Sequence, residues 1–161
     1  MYLGIKETLY MSTLAALKQL YNRDLNKLKE EISLYQHEPA LWLTDVNITN
    51  PAGNLCLHLV GNLNTFIGVH LGNTDYIRKR DLEFSLRDVP RTELLQKVDD
   101  TIRVVESTLD SLSEDKLMEE YPITVFDTRT TKAYMLIHLA THLGYHLGQI
   151  NYHRRLLDKT A

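Results

Sequence analysis

The chain has 161 residues, of which 43% are hydrophobic and 24% charged, and its formal net charge is −3. That length suffices for one domain with a buried core, read here as spanning residues 1–161. The charge balance lacks the clustered Lys and Arg that non-specific nucleic-acid binding requires, so no nucleic-acid partner is expected.

Cys56 is the sole cysteine, which excludes an intrachain disulfide and suits a reducing, cytoplasmic setting. It sits in an apolar run and reads as a small core residue. No stretch approaches the roughly 20 apolar residues of a membrane span, so no membrane partner is expected. The opening "MYLGIKETLY" carries no cleavable signal pattern. The densest basic spot, Arg78, Lys79 and Arg80, is followed by Asp81 and Glu83 and reads as a solvated loop.

The first helix is predicted over residues 6–35. Leu14, Leu17, Leu20, Tyr21, Leu25, Leu28, Ile32 and Tyr35 recur at steps of mostly three and four, which gives an apolar stripe. The stretch "NRDLNKLKEE" supplies the opposite, solvated face. A connector with Pro39, Asp45 and Asn50 follows, and Trp42 is expected in the core or at a site mouth.

The second helix is predicted over residues 51–71, with Asn50 as its cap and Pro51 at the first helical position. It is apolar nearly all round and so should be largely buried. A polar connector of about 18 residues comes next. It is long enough to run back along the second helix, which permits a parallel third one.

The third helix is predicted over residues 91–111, with a stripe of Leu94, Leu95, Val98, Ile102, Val105 and Leu109. The next link contains "ITVF", a short extended piece at most. The fourth helix, over residues 131–158, ends in Arg154, Arg155 and Lys159, where the helix dipole favours cations. Four long amphipathic helices with no series of strands indicate an all-α four-helix bundle.

Chemistry concentrates in the fourth helix, whose "HLATHLGYHLGQINYHRRLL" holds four of the seven histidines. A step of four rotates a helical side chain by only about 40°, so two such imidazoles can hold one metal ion. Spacing alone leaves both His138/His142 and His142/His146 open. His142 and His146 border the apolar arc of Leu136, Leu139, Leu143, Leu147 and Ile150, whereas His138 is rotated toward Tyr134 and Tyr145. His153 is an interhelix or surface residue.

A catalytic zinc or nickel centre usually takes three protein ligands. Elsewhere in the chain stand His37 in a connector, His70 at the end of the second helix, and His58 in its middle. A polar His58 within so apolar a helix needs a partner, and ligation supplies one. Asn62, one turn on, needs a partner too: a metal ligand's ring, a substrate or the core. The carboxylates Asp75, Glu83, Asp88 and Asp127 all fall in connectors, and no helix carries the ExxH pattern of a di-iron bundle. No GxSxG elbow or glycine-rich phosphate loop is present.

The run His142, Leu143, Gly144, Tyr145, His146, Leu147, Gly148, Gln149 resembles the signature of the DinB-like (DinB/YfiT) metalloprotein family, an HxxxH followed by one residue and "GQ". "NLCLHLVGNL" resembles that family's second-helix segment and places the third ligand at His58. "RDLEF" at residues 80–84 resembles a piece of one branch. The resemblance implies an up-down-down-up bundle, often a homodimer, holding zinc or nickel on His58, His142 and His146. It implies a small-molecule substrate and, in some relatives, a low-molecular-weight thiol cofactor for S-transfer. Asn62, Gln149 and Tyr145 are then candidate substrate-orienting groups. The catalytic residues stay unassigned. A non-enzymatic bundle with core histidines or a structural metal is the rival, and a ligand sensor is a third reading.

Overall fold

The computed structural model describes residues 11–159, and these are helical with no strand among them. Helix α1 spans Thr13–Ser33, α2 spans Ala52–Gly72, α3 spans Arg80–Ser85, α4 spans Arg91–Ser111 and α5 spans Lys132–Leu157. Short 3-10 turns lie at Glu38–Trp42 and Glu114–Met118.

Helices α1, α4 and α5 begin where their unpaired backbone N–H groups find side-chain acceptors. Ser12 caps α1 by accepting from the Ala15 N–H, and the Glu114 carboxylate accepts from Thr13 and Leu14 at 3.0 and 3.1 Å. The predicted start at residue 6 lies outside the described residues. Pro51, not Asn50, occupies the cap position of α2, and it makes no side-chain cap bond. Glu38 accepts from the Arg91 N–H at the start of α4, and Thr131 caps α5. Asn73 ends α2 in the left-handed region, with φ 54°, a conformation Asn tolerates better than most residues.

The predicted stripes form the core. Leu17, Tyr21, Leu25, Leu28 and Ile32 of α1 are buried, as are Leu94, Val98, Val105 and Leu109 of α4 and Leu136, Leu139, Leu143 and Ile150 of α5. Fully burying each such leucine contributes about 1.5–3 kcal/mol. Leu20 departs from its stripe and stays partly exposed. Glu31 departs in the opposite sense, because its carboxylate is buried rather than solvated. It accepts from Asn151 and Arg154 of α5, both at 2.9 Å, which satisfies the charge on burial.

Helix α2 is buried throughout its first twelve residues. By length and composition it would pass for a membrane span, contrary to the sequence expectation. Most of it lies inside the fold, as expected of a core helix. Cys56 is buried within it, and burial pushes its thiol pKa up to about 12. Trp42 belongs to the core: its ring covers Gly53, where an added Cβ would meet it at 2.6–2.7 Å. Residues 64–69 of α2 are wound as a π-helix, and the Phe66 carbonyl accepts from the Tyr121 hydroxyl.

Side-chain pairs fix the register between helices. Lys18 meets Asp110, Asn22 meets Glu106 and Lys29 meets Asp99, so α4 recedes as α1 advances. Tyr21 reaches the Leu136 carbonyl while Glu31 reaches Asn151 and Arg154, so α1 and α5 advance together. Asn64 bonds Thr101, and Cβ atoms placed at Gly68 and Gly72 would meet Val104 and Thr108, so α2 and α4 advance together. The polar connector after α2 contains a helix of its own, α3. Asn54 pins it by donating to the carbonyls of Glu83 and Leu86 at 2.8 and 2.9 Å. The "ITVF" segment forms no strand; only an isolated bridge, Glu120 to Thr131, closes that link.

Candidate metal centre

Helices α2 and α5 bring His58, His142 and His146 together. One ring nitrogen from each lies within 4.8 Å of the other two. The His58 and His142 Nε2 atoms are 3.3 Å apart, and those of His142 and His146 are 3.1 Å apart. Ligands held about 2.0–2.1 Å from a tetrahedral zinc ion stand roughly 3.3 Å from one another. Two of the three spacings therefore match a shared coordination sphere, and the third lies within 4.8 Å.

The far side of each ring decides where its proton sits. His58 Nδ1 faces Glu83 Oε2 at 3.0 Å, and an ionised carboxylate only accepts, so the proton is on Nδ1. His146 Nδ1 donates to Gln149 Oε1 at 2.7 Å, and the Gln149 amide N–H donates to the Tyr145 hydroxyl at 3.3 Å. Both rings therefore aim Nε2 lone pairs at His142 Nε2. One N–H on His142 can satisfy only one of them, whereas a cation satisfies all three.

Electrostatics keep His142 and His146 neutral. Burial, reinforced by the neighbouring imidazoles of His146 and His58, holds the His142 pKa down to about 4. Burial also lowers that of His146, against the hydrogen bond that the ring donates to Gln149. Neutral imidazole is the form that binds metal. Glu83 stays ionised: burial works against this, but hydrogen bonds from Arg78 and His58 outweigh it and hold the carboxyl below its ordinary range. Arg78 grips Glu83 with Nε at 2.7 Å and Nη2 at 2.8 Å.

The basic spot is thus not wholly solvated. Arg78 is half-buried against Glu83 and over the Phe66 ring, while Lys79 and Arg80 remain exposed. Sequence reasoning missed Glu83 and Arg78 as site residues and grouped Glu83 with other connector carboxylates. The signal available was "RDLEF", which contains Glu83. Gly61 was missed as well: an added Cβ there would overlap Glu83 Oε1, so glycine makes the room the carboxylate occupies.

The other candidates fall elsewhere. His37 is exposed, and His70 packs against the rings of Phe66 and Tyr121. His138 stacks beside His142 and against Phe126 but is outside the cluster. His153 is buried, with Nδ1 2.8 Å from the Tyr35 hydroxyl and Nε2 3.0 Å from the Leu43 carbonyl, so both ring nitrogens are taken. Asn62 is buried in the turn after His58 with an unpaired Oδ1. Tyr145 is exposed, its ring 5.2 Å from that of His146. Among the described residues no fourth His, Cys, Asp or Glu joins the three, so the coordination sphere the protein supplies is incomplete. That is the donor pattern of a site that also takes an exogenous ligand.

The fold has a solved counterpart. A conserved protein from Enterococcus faecalis superposes with a TM-score of 0.72 over 92% of this chain and 98% of that one, at 14% identity, which speaks to the fold alone. No curated protein matches the chain. The chain belongs to the family described as "Protein of unknown function (DUF1572)", which it matches over residues 7–161.

Proposed function

We propose that this protein is a metal-dependent enzyme of the DinB-like type, with zinc or nickel held by His58, His142 and His146 and one position left for a small-molecule ligand. The convergence of three Nε2 donors, two of them with an acceptor at the far nitrogen, carries the reading. Bound there, a divalent ion supplies Lewis-acid chemistry, lowering the pKa of a coordinated thiol or water toward neutrality. The chain's own part is to fix the imidazoles. Glu83, steadied by Arg78, orients His58; Gln149, steadied by Tyr145, orients His146.

Thiol-dependent S-transfer to an electrophilic small molecule is the reaction class we favour, with a low-molecular-weight thiol as co-substrate. The half-buried positions of His142 and His146 support access by such molecules. The same proposal includes an up-down-down-up four-helix bundle formed by α1, α2, α4 and α5, supported by the interhelix pairs given above. It also includes a cytoplasmic homodimer. Ile137, Tyr152 and Leu156 leave α5 with an exposed apolar surface that a second copy would cover, and a free buried Cys56 agrees with a reducing setting.

Elemental analysis of protein purified without a histidine tag tests the metal reading. About one equivalent of zinc or nickel is expected, lost in His58→Ala and His142→Ala. Less than about a tenth of an equivalent after loading, with wild-type stability in His58→Ala, would overturn it.

A further inference from the structure

A ligating imidazole is normally fixed by an acceptor for the N–H of its other ring nitrogen. His58 has Glu83 and His146 has Gln149 in this role. His142 has no such partner: its Nδ1 is buried and unpaired. Buried polar atoms are almost always paired, so this one requires an explanation.

A second unpaired atom answers it. Asn62 Oδ1 is also buried without a partner, in a residue only 8% exposed. Asn62 lies one turn beyond His58 and shares its face of α2. His58 meets His142 and His146, and Leu55 shares a cleft with Gln149 and His153, so α5 recedes as α2 advances. The turn of α2 that holds Asn62 therefore stands across from residues 138–142. An amide oxygen that lacks a donor faces the stretch containing an imidazole nitrogen that lacks an acceptor. Among the described residues the other buried unpaired side-chain atoms are on Trp42, Asn54, Thr74 and Arg91, none of which is in the three-His group.

We propose that Asn62 is the positioning residue of His142. When the ring settles with Nε2 on the metal, its Nδ1–H donates to Asn62 Oδ1, and every ligand imidazole then has its own acceptor. The inference rests on the three-His reading. It makes Asn62 part of the metal site's scaffold and removes it from the substrate contacts.

The choice of an amide also bears on what the site accepts. Three neutral imidazoles, one carboxylate and two amides around a divalent ion leave a net positive charge. Such a centre favours an anionic fourth ligand, such as a thiolate or hydroxide.

The test is zinc affinity of the full chain by competition with a chromophoric chelator, together with the visible spectrum of the cobalt-loaded protein. Asn62→Leu should bind zinc about 10–100-fold more weakly with an altered cobalt spectrum, while Asn62→Asp, which keeps an acceptor, should stay within about threefold of wild type. Tight zinc binding by wild type together with an indifferent Asn62→Leu would sink this proposal alone. No zinc uptake by wild type would sink the three-His reading and this proposal with it. Imidazole proton NMR of the unaltered zinc-loaded chain reads the same bond without a variant. Three slowly exchanging Nδ1–H signals are expected from the ligands, and finding only those of His58 and His146 would overturn the assignment.

Discussion

Gly61→Ala should weaken this protein, although a substitution of this kind inside a helix ordinarily strengthens one. Alanine is favoured over glycine by about 1 kcal/mol in a helix interior. At this position the new Cβ overlaps Glu83 Oε1. The carboxylate is 6% exposed and receives Arg78 at 2.7 and 2.8 Å and His58 at 3.0 Å. Relief requires it to swing away and give up part of that set. Hydrogen bonds to charged groups contribute about 1.5–3 kcal/mol each, so losing one or two outweighs the propensity gain. Net destabilisation of about 1–3 kcal/mol is expected, a fall of roughly 2–10 °C in Tm for a domain of this size. His58 also loses the acceptor on Nδ1, so zinc affinity should fall about 10–100-fold. Urea unfolding of the metal-free protein and chelator competition measure the two effects separately. A Gly61→Ala protein as stable as wild type, with affinity unchanged within about threefold, would refute the view that glycine is there to admit Glu83.

Stability of the metal-free protein should fall in acid partly through His153. Burial, opposed by the bond to the Leu43 carbonyl, lowers its folded pKa below the unfolded value of about 6.5. Below that pH the unfolded chain binds the proton more readily, so stability is lost as pH falls through this window, at up to about 1.4 kcal/mol per pH unit. Unfolding titrations at pH 5–7.5 should show a shallower slope in His153→Gln. Leu28→Ala empties a fully buried site between packed helices and should cost about 2–5 kcal/mol by denaturant unfolding. Cys56, with its thiol pushed up to about 12, should resist a disulfide reagent in the native protein and react once the chain is unfolded.

Much of the helical frame was legible because it rests on local rules. The 3.6-residue repeat placed residues 91–111 and 131–158 to within a residue or so of α4 and α5. Where the reading failed, distant contacts decided. Glu31 looks solvated in sequence because its neighbours are charged, yet Arg154 and Asn151 arrive from more than a hundred residues away to receive it. The connector after α2 has no long apolar periodicity. It becomes helical at α3 because the Asn54 amide, across the fold, bonds the carbonyls of Glu83 and Leu86.

The candidate site divides along the same line. Its three imidazoles were readable, since a four-residue spacing on one helix and a lone His in an apolar helix are both local signals. Their supports were not. Glu83 is one carboxylate among several in connectors, and only its position beneath His58 distinguishes it from Asp75, Asp88 and Asp127, which stay exposed. Gly61 reads as a weak point in a helix, and its use is visible only once the carboxylate occupies the space a side chain would fill. Donor atoms of a metal site have a chemical type that sequence displays. The groups that hold those donors in place are chosen for where they stand, and that is a property of the folded chain.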